Sequence, residues 1–363
     1  MKRSNNFSNS VRAVLAAAAA SLTIVVCGAS SSPLMAQTTG ASTAGGGAVK
    51  PISFNYGLVT ADQYAVYVAQ DLGLFEKHGL KPNFTPFQSG ALLLAALKSE
   101  AIDVASIGMG AVFAIGQNTK LKVIAWDVNS SFAAGFVSKQ HDVKSFRDVA
   151  KAGKIGVAIG SCAQVALYYL AQSAGVPYNK LDVANVPPAQ ARNALHGDAI
   201  QSAMIWAPYI FQAVDGGSAL VNYTTDWQPA GGFCPSFTAV REEYLTANSE
   251  VGKRLIAVQA DALKMIEKDP SIAIKALQKR LSISESVAKR MFERVWDNRP
   301  TYAQQIDPQS PYSLAGPTGL AAILKRGAEA FSALKVVPKP IDPKLIDAAV
   351  DPTYIKMYQE ASR

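Results

Sequence analysis

The chain has 363 residues, 49% apolar and only 17% charged, enough to bury the core of two ordinary domains or one large one. Its net charge of +8 comes from scattered Lys and Arg residues, not from a basic run with interleaved aromatics. That argues against a nucleic-acid-binding face and leaves a generally basic surface, which favours small anionic ligands.

Residues 1–36 read as a secretory signal peptide. Lys2, Arg3 and Arg12 form a positive n-region, and 13–26 is an apolar stretch too short to span a bilayer. Small residues then offer cleavage after Ala29 or after Ala36. Cys27 follows Val25 and Val26, where a lipidated cysteine needs a small residue before it, so lipid anchoring is not expected. Residues 37–49 read as a flexible linker. Export leaves Cys162 and Cys234 in an oxidising compartment, where they can stand as free thiols or as a bridge.

From residue 52 the pattern alternates between strand and helix. Strands are predicted at 52–56, 80–85, 102–107 and 121–127, with helices at 61–77 and 90–98 and a further one opening at Gly108-Met109-Gly110. A second block repeats the scheme, with strands at 154–159, 183–186 and 200–206 and helices at 161–174, at 188–195 and from Pro208. After Glu242 nearly everything is helical, at 250–267, 270–281, 284–295 and 316–334. This predicts an α/β protein of two lobes, each a mainly parallel sheet flanked by helices, with the helical C-terminal region packed on the first lobe. The first lobe is then 50–132 plus 241–363 and the second 133–240, with hinge strands near 132–138 and 234–240. A cleft between such lobes, at the strand ends, is where α/β folds place ligands.

The chemistry needed for catalysis is sparse. His78, His141 and His196 fall at a helix end, in a polar loop and before a Gly-Asp turn. There is no HExxH or CxxC spacing, no phosphate-binding glycine loop and no GxSxG around Gly160-Ser161-Cys162, so neither metal nor cofactor is expected. Cys162 at a helix start would have a lowered thiol pKa, which keeps open an exported enzyme using it as nucleophile. The same joint suits an anion better. The first N–H groups of a helix lack internal partners, the helix dipole attracts negative charge, and Ser161 adds a hydroxyl. Three other strand-to-helix joints look alike: Thr60-Ala61-Asp62, Gln88-Ser89-Gly90 and Gly108-Met109-Gly110.

Several stretches, taken in order, resemble the substrate-binding proteins of ABC importers of the nitrate/sulfonate/taurine type, which have the type II periplasmic binding fold. They are YVAQDLGLFEKHGL, FQSGALLLAALKSEAIDVASIGMG, KIGVAIGSCAQVALYYLAQSAGV, VPPAQARNALHGDAIQSAMIWAPYIFQA, FTAVREEY and KVVPKPIDPKLIDAAVDPTYI. The WAP and VPPAQA pieces are nearest the taurine-type branch. The resemblance implies a periplasmic, monomeric protein that captures a small organic anion and hands it to a membrane permease. By position it implies ligand contacts from Gln88, Ser89, Gly90, Met109, Gly110, Ser161, Cys162, Trp206 and Ser236, with Thr60, Asp62 and Tyr64 beside them. Taurine-type relatives meet the ligand ammonium with acidic side chains. Here those places hold Tyr64 and Ser236, with Asp62 out of register by about a helical half-turn, so taurine itself is disfavoured. Trp206, Tyr64, Phe132 and Phe233 are candidates to stack on a planar ligand. Nitrate or bicarbonate capture, and a sensor docking on a receptor, are the alternatives that stay within binding. Relatives of this fold that make a thiamine pyrimidine precursor carry a Cys-rich motif missing here.

Overall fold

A computed structural model describes residues 50–59, 63–87, 90–227 and 233–362. The signal peptide, the linker and the joint residues Thr60, Asp62, Gln88 and Ser89 lie outside the described residues. The first four strands are β1 (Ile52–Val59), β2 (Leu80–Phe87), β3 (Val104–Gly108) and β4 (Leu121–Asn129). Between them run α1 (Tyr64–Asp71), α2 (Leu74–Lys77), α3 (Gly90–Lys98) and α4 (Ala111–Gly116). The helix expected at 61–77 is two helices, because Gly73 adopts a left-handed φ of 64° that no helix continues through.

The second block holds β5 (Ala134–Ser138), β6 (Lys154–Val157), β7 (Asp182–Asn185), β8 (Ser202–Trp206) and β9 (Ala219–Tyr223). Its helices are α5 (Cys162–Ser173), α6 (Pro188–His196) and α7 (Tyr209–Asp215). The chain then returns through β10 (Pro235–Arg241). The strand order is β2-β1-β3-β10-β4 in the first sheet and β7-β6-β8-β5-β9 in the second.

Each sheet has four strands running one way and one reversed. β10 is antiparallel to both β3 and β4, and β5 to both β8 and β9. The reversed strands are the first after each crossing. A chain that leaves one sheet at a carboxyl end and enters the next without a long loop must run backwards in it. The carboxyl ends of the other eight strands are thereby turned toward the crossings. The two expected hinge strands are therefore full ladder members, and the crossings are the segments before β5 and β10. β10, which the sequence assigned to the second lobe, belongs to the first sheet. Strand character is local, but the sheet that completes a strand's hydrogen bonds is not. β9 was not expected; it is a short edge strand with a mixed face.

The C-terminal third is helical, as its periodicity predicts: α8 (Glu242–Ala247), α9 (Glu250–Lys268), α10 (Ser271–Leu281), α11 (Glu285–Trp296), α12 (Tyr302–Ile306), α13 (Leu320–Ala333), α14 (Pro343–Ala349) and α15 (Thr353–Ala361). In α9 the buried Val251, Leu255, Val258, Ala262 and Ile266 recur every three or four residues and make one apolar stripe. α9 and α10 pack on α1, and the Asp351 amide donates to the Val123 carbonyl of β4 at 2.9 Å. Two helices also reach the second sheet's side. Arg294 Nε of α11 donates to the Phe132 carbonyl at 2.8 Å, and the Tyr169 hydroxyl of α5 donates to the Arg326 carbonyl of α13 at 3.1 Å.

Candidate functional site

The strand ends and helix starts of the two sheets border one cleft of about 670 Å³. Val59, Gly108, Asn185 and Trp206 are the last residues of β1, β3, β7 and β8, and all four line it. Pro235 and Ser236, at the start of the reversed β10, line it too.

The Gly160-Ser161-Cys162 joint forms one wall. Gly160 has φ 79°, a left-handed turn between β6 and α5, and a side chain there would start 3.1 Å from the Phe113 ring across the cleft. Only glycine satisfies both demands. Ser161 caps α5: its hydroxyl oxygen accepts from the Ala163 amide at 3.2 Å and donates its proton to the Ala158 carbonyl at 2.6 Å. The hydroxyl expected for an anion is thus used in the cap, and the Gly160 and Ser161 amides are engaged too, to Gln164 Oε1 at 2.8 Å and the Ala158 carbonyl at 3.3 Å, which leaves the Cys162 amide at the start of α5.

Cys162 is bonded to Cys234. Both sulfur-bearing residues line the cleft, so the sequence's open choice between thiols and a bridge resolves to the bridge. A bridged Cys162 has no thiolate, which removes the nucleophile on which the enzyme alternative rested.

The first sheet supplies the opposite wall. Gly90, Met109 and Gly110 line the cleft. A side chain at Gly90 would meet nothing within 4 Å, so the start of α3 is open to the cleft. A side chain at Gly110 would start 3.9 Å from the Gly160 carbonyl, which brings the joints of the two sheets face to face. Met109 is 1% exposed and packs on Gly327 of α13, so it supports the wall more than it offers a polar contact. Ser236 hydrogen-bonds to the Gln63 side chain.

Three aromatic expectations fail. Tyr64 is fully buried, edge-on to Phe292 and Trp296 at ring distances of 5.6 and 5.8 Å, and does not border the cleft. It joins α1 to α11, because an aromatic on the inner face of α1 is consumed by the helix packed there. Phe233 is buried and stacks on Tyr169 at 4.7 Å, and Phe132 lies outside the lining. Trp206 alone of the four presents itself to the cleft.

Sequence reasoning missed Asn185, Gln63 and Lys98. Asn185 Oδ1 accepts from the Ile159 amide at 3.1 Å, which anchors the carboxamide at the cleft wall and keeps its NH₂ as the uncommitted end. Its signal was available, since Asn185 ends a strand just before Pro187 and Pro188 at the start of α6. Lys98, by contrast, reads as an ordinary last-turn cation.

The electrostatics are one-sided. Among the described lining residues Lys98 is the only charged side chain, and none is acidic. The remainder is neutral polar groups and a broad apolar surface that includes Leu94, Phe113, Ile159, Pro188 and Trp206. Such a cleft desolvates an apolar body well and tolerates negative charge, whereas a cation would find no counter-charge among these residues.

The sequence pattern of the family described as "NMT1/THI5 like" matches residues 60–273. A protein of Brucella abortus named as a binding protein is 29% identical over 221 residues, 60% of this chain and 68% of its own. A protein of Escherichia coli named as an aliphatic sulfonates-binding protein is 25% identical over 268 residues, 72% of this chain and 77% of its own. The alkanesulfonate-binding protein of Xanthomonas axonopodis pv. citri, solved bound to MOPS, has the same fold, with a TM-score of 0.67 at 22% identity, covering 84% of this chain and 99% of that one.

Proposed function

The chain belongs to the NMT1/THI5-like family, and from that premise we propose that it is an exported solute-binding protein that captures an organic anion with an apolar body, such as an alkyl or aryl sulfonate, for an ABC importer. The names of the relatives in Escherichia coli and Xanthomonas support the ligand class. One observation of this chain carries the reading: a cleft of about 670 Å³ with an extensive apolar lining, one lysine and no acidic side chain among its described walls.

In this reading, residues 50–132 with the C-terminal helices form one lobe and the second sheet the other, and the ligand bridges them. Its anionic group sits against the Cys162 amide at the start of α5 and the Asn185 NH₂, and its body against Trp206 and Phe113. Binding favours the closed arrangement because both walls contact the ligand only when they face each other. The closed form is what a permease recognises. A nitrate or bicarbonate ion would leave most of this cleft to water, so the small-ion alternative is the weaker one.

Calorimetry on the mature protein with alkanesulfonates, benzenesulfonate, ethanesulfonate, taurine, nitrate and bicarbonate tests the reading. Sulfonates with a larger apolar body bind tighter than ethanesulfonate, and ethanesulfonate binds at least as well as taurine, whose ammonium finds no acidic partner in the described lining. Tight binding of nitrate with no response to any sulfonate would sink it.

A further inference from the structure

Resting on the anion-capture reading, we propose that Lys98 forms a second anion subsite at the far end of the cleft, so that the preferred ligand carries an acidic group at each end of an apolar spacer. α3 lies along the cleft, with Gly90, Leu94 and Lys98 on the stripe that faces it. α4 runs beside it, with Gly110 and Phe113 at its start and Gln117 just past its end. The two helices are tied at that far end, where Lys98 Nζ donates to Gln117 Oε1 at 3.2 Å. Thr119 adds a hydroxyl to the same corner of the cleft.

The joints meet level with Leu94, since a side chain at Gly110 would start 3.7 Å from Leu94 and 3.9 Å from the Gly160 carbonyl, and Lys98 stands one helical turn beyond. From Leu94 to Lys98 is four residues, about 6 Å at the helical rise, to which the lysine side chain adds its own length. Leu94 and Phe113 line this wall, and both are apolar. No carboxylate among the described residues pairs with Lys98, although fourteen ion pairs form among those same residues. A monoanion seated at the joints leaves the ammonium to Gln117 and water. A dianion of matching length reaches it and exchanges that water for a charge-assisted contact. Lys98 also stands in the last turn of α3, where a cation favours the helix end. That role would act on stability and not on the choice between ligands.

The test compares hexanesulfonate with the hexanedisulfonate that bears a sulfonate at each end, by calorimetry, on the mature protein and its Lys98→Gln variant. Lys98 is exposed, so the variant should fold; its thermal unfolding is recorded alongside. In the wild type the disulfonate binds about five-fold tighter, the scale of one rim ion pair, and the preference shrinks as salt is raised. In Lys98→Gln the preference disappears, because the disulfonate loses about five-fold more affinity than hexanesulfonate does. A disulfonate no tighter than the monosulfonate in the wild type overturns the subsite alone, and so does a preference that survives the substitution. If neither compound binds the wild type, the anion-capture reading itself falls, and the subsite with it.

Discussion

The disulfide between Cys162 and Cys234, with Cα atoms 4.9 Å apart, joins the first residue of α5 to the residue that precedes β10. The Cys234 amide also donates to Ser131 Oγ at 3.0 Å, in the segment of the first crossing. One covalent bond therefore ties the second sheet's cleft-lining helix to the place where the chain passes both ways between the sheets.

Opening that bond should loosen the whole molecule. The 72-residue separation implies up to about 4 kcal/mol of stabilisation from the loss of freedom in the unfolded chain. Denaturant unfolding with and without a dithiol, and of a Cys162→Ser/Cys234→Ser double variant, should show this as a lower midpoint. Unchanged midpoints, with both thiols alkylated in the untreated protein, would mean the bond does not form in solution.

Asn185→Asp is a sharper probe of the anion end than removal of the side chain. The aspartate can still accept from the Ile159 amide, so the wall keeps its shape. What changes is a carboxylate where an NH₂ stood. Sulfonate affinity should fall by at least about ten-fold, a cost of about 1.4 kcal/mol, through like-charge repulsion in a partly desolvated site. Equal affinity would place the anion elsewhere in the cleft.

Trp206 ends β8 and lines the cleft, and in the proposed reading its ring serves the ligand body and not the charge. Trp206→Ala should weaken benzenesulfonate by about ten-fold while changing methanesulfonate much less, since the lost apolar area scales with the body it covers. Parallel losses for the two compounds would show that the tryptophan only supports the wall.

Asp127 predicts a pH dependence of stability. Its carboxyl accepts from Thr238 Oγ1 at 2.8 Å and Gln259 Nε2 at 3.1 Å beside a void of about 20 Å³. Burial outweighs both donors and pushes it from its ordinary 3.8 up to about 7. The folded chain thus holds this proton where the unfolded chain has lost it. Asp127 therefore contributes most below the unfolded value, and stability declines as pH rises from about 4 to about 7. Asp127→Asn should flatten that decline and raise stability at pH 8 by about 1–3 kcal/mol. A variant less stable at pH 8 would show that the charged form is the one the fold favours.

Much of the architecture was legible in local pattern. The alternation of strand and helix up to β8 and the stripe of α9 are recorded in residues three or four apart. So was the punctuation at Gly160 and Ser161, because capping and left-handed turns are decided within a few residues. Gly90, Gly110, Ser161, Cys162, Trp206 and Ser236 could be placed in the cleft because each sits at a strand–helix joint or strand end, and the joints of such folds gather on one side. By itself, then, the sequence determined two α/β blocks with a helical tail and a set of joints fit for an anion. Only the tertiary structure decided that β10 completes the first sheet, that Tyr64 is consumed by α11, that Cys162 meets Cys234, and that Lys98 looks into the cleft. Each of those turns on a partner far away in the chain. Chain pattern shows that a group needs a neighbour, while packing in three dimensions selects which neighbour it gets.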